Sequence, residues 1–179
     1  MIDKVVVDSS VAIKWFVVEP YSVEAHYILE AYQAGTLTLL APDLLYAEVG
    51  NIVWKKHRFQ GLAAADAEAV LAAFRVVTFR VTSCAALLEE AYRLAVAHQR
   101  TVYDAMYIAL SLHEHCRWVT ADERIVNALG AIFPQIIWVA NWPQRTTLAE
   151  RRVREAGLLP PPALRTGRES FPSSGSSLE

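Results

Sequence analysis

Short apolar runs alternate with longer stretches of helical periodicity, and two of the runs stop abruptly at an acid. Val5-Val6-Val7 is β-branched throughout and ends at Asp8-Ser9-Ser10. That pattern reads as a buried strand with polar groups at its C-terminal end. Trp118-Val119-Thr120 behaves the same way just before Asp122. Leu37–Ala41 (closed by Pro42), Val76–Val81 and Ile136–Val139 are further strand candidates. Between them the spacing predicts helices over Ser22–Ala34 (Ser22 as a cap, Gly35 as the stop), from Asp43 to Lys55-Lys56, and over Leu62–Phe74. It predicts three more over Ala85–His98, Val102–His113 and Glu123–Leu129, the last stopped by Gly130. Strands separated by helices are joined by crossovers, so the expected class is α/β with a mostly parallel sheet. In such sheets ligands sit outside the carboxyl ends of the strands, where Asp8 and Asp122 fall.

Composition narrows the functional classes. Apolar residues make up 54% of the 179-residue chain, enough for a real core and too many for global disorder. The formal net charge of -2 gives no basic signature, so a nucleic-acid partner has to be argued from a site. Cys84 and Cys116 form no C-x-x-C pair, which points to free thiols in a reducing compartment. The N-terminus resembles no signal peptide, and the uncharged stretch Ile125–Gln144 is broken by Gly130 and Pro134. The expectation is a cytoplasmic protein without a membrane span. We place a domain at residues 1–142. Residues 143–179 read as a helix over Leu148–Ala156 followed by a flexible Pro- and Ser-rich tail.

Most acids in the chain suit solvated helix faces, but four do not. Asp8 interrupts an apolar strand end. Glu48 lies among Leu44, Leu45, Val49 and Ile52. Asp104 precedes Ala105, Ile108, Ala109 and Leu112 on an apolar helix, and Asp122 follows the strand ending at Thr120. A buried carboxylate is costly unless paired or bound to a metal. Two of them about 4 Å apart repel by roughly 4 kcal/mol at an effective dielectric of about 20. A divalent cation offsets this, and all-oxygen ligation suits Mg²⁺ or Mn²⁺. Each acid also has a structural alternative: Asp8, Asp104 and Asp122 can cap helices, and Glu48 can pair with a surface cation. Their shared placement favours a common site.

Four segments carry a resemblance. Val6-Val7-Asp8-Ser9-Ser10-Val11-Ala12, with Lys14-Trp15-Phe16, resembles the opening motif of VapC-type PIN-domain toxins. Ala41–Val49, Val102–Ala109 and Val119–Arg124 are similar to their second, third and fourth motifs, in order. The resemblance covers roughly residues 4–142 and implies a PIN-like three-layer domain, a mostly parallel sheet flanked by helices. It further implies a Mg²⁺- or Mn²⁺-dependent endoribonuclease, the toxin of a toxin–antitoxin pair. Asp8, Glu48, Asp104 and Asp122 would be its catalytic acids.

On that reading Asp8, Asp104 and Asp122 hold the metal, and Glu48 ligates a second ion or acts as general base. Ser10 and Thr120 would hydrogen-bond the carboxylates. Lys14, Lys55 and Arg100 are RNA-contact candidates, although the basic run from Lys55 to Arg58 also suits a helix C-terminus. Trp15, Phe16 and Tyr103 suit either base stacking or core packing. The implied partners are RNA, a cognate antitoxin and a second copy of the chain. Two other readings stay open: an RNA-processing nuclease without an antitoxin, and a weakly active RNA-binding module of the same fold. Asp8-Ser9-Ser10 lacks the second Asp expected of an Asp-based phosphohydrolase.

Overall fold

A computed structural model describes residues 3–143. In chain order the elements are β1 (Asp3–Val7), α1 (Ser9–Ala12), α2 (Ser22–Gln33), β2 (Leu37–Pro42), α3 (Leu44–Gln60) and α4 (Ala64–Val76). There follow β3 (Arg80–Thr82), α5 (Cys84–His98), α6 (Val102–His113), β4 (Arg117–Thr120), α7 (Glu123–Leu129) and β5 (Ile136–Trp138). Short 3₁₀ turns occupy Ile13–Trp15 and Val139–Asn141.

The strand period of two decides the layers. Val5 and Val7, with Leu39 and Ala41 of β2, face one side, where they meet Ile28, Leu45, Val49 and Phe74 from α2, α3 and α4. Val6, Leu40 and Trp118 face the other side, against Leu87, Ala91, Ile108, Leu110 and Leu129 from α5, α6 and α7. A sheet covered on both faces needs strands apolar on both, hence the unbroken valine run. Each fully buried side chain of this kind contributes about 1.5–3 kcal/mol. Slipping β1 by one residue would exchange its two faces, so the register is strongly fixed.

The sheet has five strands, all parallel, in the order β3-β2-β1-β4-β5. β2 and β3 are laid outward on one side of β1, and β4 and β5 on the other. The strand order therefore reverses between β1 and β4, and the carboxyl ends of those two strands border the topological switch point.

Two local expectations change, and one helix start makes a contact across the fold. Val76–Val81 is not one strand: α4 runs through Val76, and β3 begins at Arg80. Val76 is 80% exposed, so its β-branching reflects a helix end rather than a buried strand. Ser22 does not cap α2. Its hydroxyl accepts from Glu19 N (3.0 Å) and donates to Val17 O (3.3 Å), folding the preceding loop, and the cap position is Tyr21 at φ 68°. Asp43 starts α3 without capping it. Its carboxylate accepts from Cys84 N at 2.9 Å at the start of α5, while Asp43 N donates to Thr82 O, locking two crossovers together. The helix expected over Leu148–Ala156 and the tail lie outside the described residues.

Candidate active site

Asp8 follows β1 directly and takes an extended conformation at the head of α1. Its Oδ1 accepts from the Ser10 hydroxyl at 2.6 Å and from Val11 N at 3.2 Å. The side chain lies almost wholly out of water, at 5% exposure. Burial pushes its carboxyl up from 3.8 to about 6, against the opposing hydrogen bonds from Ser10, Thr120 and Val11. The nearby charge of Glu48 pushes in the same direction as burial.

Ser10 joins the two strand ends. Its oxygen accepts from Ala121 N at 2.8 Å, just beyond β4, so its proton is left for Asp8. Thr120, fully buried, lies 3.5 Å from Ser10 Oγ and accepts from Asp122 N at 3.0 Å. Two hydroxyls thus span the β1–β4 crevice and set where both acids stand.

Glu48 sits one and a quarter turns into α3, half-buried. Tyr107 of α6 donates to its Oε2 at 2.5 Å, and the Ser9 hydroxyl lies against it. Burial nevertheless wins and holds the Glu48 carboxyl above its ordinary value, helped by the charge of Asp104. Tyr107 itself is buried and stacked on Trp118, with ring centroids 5.7 Å apart. Desolvation, with the charge of Glu48 behind it, keeps its phenol firmly protonated and therefore a donor.

Asp104 lies in the first turn of α6. The Thr101 hydroxyl caps that helix by accepting from Asp104 N (3.1 Å) and donates to Asp104 Oδ2 (2.8 Å). Asp122 heads α7 and accepts from Arg124 N at 2.9 Å. The Arg124 guanidinium also grips both of its oxygens, at 3.1 and 2.8 Å. That guanidinium holds the Asp122 carboxyl below the usual range.

The structure therefore brings Glu48 within electrostatic range of both Asp8 and Asp104, and Asp122 stands just beyond the end of β4, the strand next to β1. Among the described residues, no three His, Cys, Asp or Glu side chains are arranged as they stand to enclose a metal ion. Each acid is turned toward a local partner: Ser10, Tyr107, Thr101 or Arg124. The donor set still fits a hard divalent cation. It is all oxygen, and it contains one deeply buried carboxylate whose ionisation is opposed by burial and by a like charge. Asp8, Asp104 and Asp122, with Glu48 adjacent, are the residues that would hold such a cation.

The remaining candidates divide. Lys55 and Arg100 are exposed. Lys14 is buried and paired with Glu19 at 2.8 Å, and Lys56 pairs with the same carboxylate. Trp15 is core: it stacks on Phe79 and donates Nε1–H to Ala25 O at 2.8 Å. Phe16 packs edge-on against Phe74, whereas Tyr103 is 63% exposed. Sequence reasoning missed Tyr107, Ser9, Arg124 and Glu19. The signal for Tyr107 was present, since it lies three residues after Asp104 and so on the same helix face.

The family model of the PIN domain matches residues 5–129, which include all four acids. Ribonuclease VapC3 of Pyrobaculum aerophilum is 33% identical over 135 residues, 72% of this chain and 97% of that protein. The crystal structure of PAE2754 from Pyrobaculum aerophilum superposes with a TM-score of 0.58 at 27% identity, covering 78% of this chain and 86% of its own. A toxin-antitoxin complex from Klebsiella pneumoniae shares the fold at 17% identity and a TM-score of 0.50, covering 74% and 95% respectively. With its sheet order, its four acids and this match over most of its length, the chain belongs to the PIN-domain family, in the VapC branch.

Proposed function

We propose that the protein is a VapC-type toxin that hydrolyses RNA phosphodiester bonds with Mg²⁺ or Mn²⁺, held mainly by Asp8, Asp104 and Asp122. The observation that carries this reading is Asp8. A carboxylate at a strand end, buried at the switch point and beside two further acids, is a poor device for stability and a good one for binding a cation. When bound, the cation supplies an acidified water and neutralises charge building on the phosphate oxygens.

The chain's own residues set the geometry. Ser10 aims its proton at Asp8 because its oxygen is already engaged by Ala121 N. Thr120 fixes the backbone that presents Asp122. Glu48, raised by burial and steadied by Tyr107, is suited to take a proton from the attacking water or to complete a second cation site. Exposed Lys55 and Arg100 offer positive charge to the RNA backbone. Residues 1–142 form the nuclease domain. A cognate antitoxin, a homodimer and a cytoplasmic location belong to the same reading. No helix among the described residues is long and apolar enough to cross a membrane.

The test is cleavage of RNA with Mg²⁺ or Mn²⁺ by wild type, Asp8→Asn and Asp104→Asn. Both variants should lose cleavage, and EDTA should abolish it in wild type. Cleavage that survives EDTA, or is unchanged in both variants, overturns the cation site. Growth arrest on induction should vanish with the same substitutions, and toxicity that persists removes the toxin reading.

A further inference from the structure

Beside the four acids the fold builds a second feature of opposite charge. A cavity of about 280 Å³ lies between the Ile13–Trp15 turn and α3, lined by Ser10, Lys14, Glu19, Ile52, Lys55 and Lys56, among others. Lys14 and Lys56 reach it from different elements and share one carboxylate, that of Glu19. Their side chains are only 10% and 13% exposed, and Glu19 is 23% exposed. Burial alone would push the Glu19 carboxyl up, but the two ammonium groups outweigh it and hold it below its ordinary value. Two lysines against one carboxylate leave one positive charge in excess in a half-desolvated place. Exposed Lys55 adds another at the rim and makes no ion pair among the described residues.

An excess buried cation is costly, and a stability device would have matched the charges. Ile13 and Ile52 line the same cavity, and apolar walls strengthen any charge contact made against them. One residue links the cavity to the acids. Ser10 lines it and donates to Asp8 at 2.6 Å. Glu48 and Lys56 lie on one helix, eight positions apart in sequence, roughly 12 Å along its axis at 1.5 Å per residue. That offset is too long for one phosphate to touch both.

We propose that this cavity binds a phosphate of the RNA strand neighbouring the scissile one, through Lys14, Lys55 and Lys56, with Glu19 as the built-in counter-ion that the phosphate partly displaces. The inference rests on the ribonuclease reading and assigns the substrate's flank a site of its own. It explains why the acid-lined centre can attract a polyanion although the chain's net charge is negative.

The test measures anisotropy of a fluorescein-labelled single-stranded RNA at several KCl concentrations, with EDTA present and strand integrity checked on a gel. Lys56→Gln should weaken binding about three- to tenfold across RNA sequences and flatten the log–log salt slope by about 0.7. Glu19→Gln should do the reverse and tighten binding by several-fold, because it frees two ammonium groups. Arg93→Gln removes a surface charge that is paired with Glu89 and Glu90 on α5, and serves as the charge-matched control. A purely structural ion-pair cluster predicts a lower melting temperature for Glu19→Gln and no gain in RNA affinity. That result, or a Lys56→Gln affinity equal to that of Arg93→Gln, overturns the cavity assignment and leaves the ribonuclease reading intact. If Glu19→Gln does not fold, Lys14→Gln with Lys56→Gln decides, the pair weakening binding more than either alone. Wild type that neither binds nor cuts RNA removes both proposals.

Discussion

The Tyr107 hydroxyl donates to Glu48 Oε2 at 2.5 Å and so ties α6 to α3 across the site. The bond favours the ionised form of Glu48, against burial, which favours the neutral one. In Tyr107→Phe that support is gone, and the Glu48 carboxyl rises further. Cleavage should fall about tenfold, and the acidic limb of its pH profile should move to higher pH. A profile that superimposes on wild type, merely scaled down, would mean that Tyr107 acts through packing on Trp118 alone.

Ionised Asp8 costs the fold stability. Its folded carboxyl titrates near 6 instead of 3.8, so the folded chain binds the proton more tightly than the unfolded one. Stability from this group is therefore complete below about pH 4 and lost as pH rises through about 6, on the order of 3 kcal/mol in all. Asp8→Asn keeps an acceptor for Ser10 and Val11 N but never ionises. In EDTA at about pH 7 it should melt several degrees above wild type, with the difference fading toward pH 4. Mn²⁺ should raise the melting temperature of wild type and not of the variant. A variant less stable than wild type at neutral pH contradicts this assignment.

Ser10→Ala removes the hydroxyl that donates to Asp8 and accepts from Ala121 N in one step. Cation affinity, read by Mn²⁺ calorimetry, should drop about 10- to 100-fold, as for other groups that orient ligands. Thr120→Val should show a smaller loss, since its contact with Ser10 is longer, at 3.5 Å. Equal affinities in Ser10→Ala and wild type would leave the hydroxyl a turn-forming role only.

Arg124 grips both oxygens of Asp122, so on the proposed reading it would compete with the cation for them. Its side chain is 87% exposed, so the pair adds little to stability. Arg124→Gln should bind Mn²⁺ several-fold more tightly at nearly unchanged melting temperature. Weaker binding would instead assign Arg124 to holding Asp122 in a productive orientation.

Much of this architecture was legible in the residues. The unbroken valine run announced a strand covered on both faces, and the acids at Asp8 and Asp122 marked its carboxyl edge. The structural alternatives for those acids were not rivals of the site. Asp8 does cap α1 and Asp122 does cap α7, and a capping carboxylate keeps lone pairs that a cation could use. Illegible were the contacts made across the fold. Glu48 meets Tyr107 over 59 positions and Ser10 meets Ala121 over 111, distances at which no local spacing gives a signal. Val76–Val81 failed as a strand because β-branching is shared by strands and exposed helix ends. Lys14 looked like a surface cation because nothing near it in sequence reveals that Lys56 would share Glu19.

The pairing of β1 with β4 sets a schedule for synthesis. Val5, Val6 and Val7 take as partners Arg117, Trp118 and Val119, residues made more than a hundred positions later. Until the ribosome has passed Thr120, Asp8 has no neighbouring strand, Ser10 has no Ala121 amide to accept from, and Asp122 does not exist. An emerging chain that stops short of β4 is therefore unarmed, and the β1–β4 crevice is completed only after Asp122 has been made.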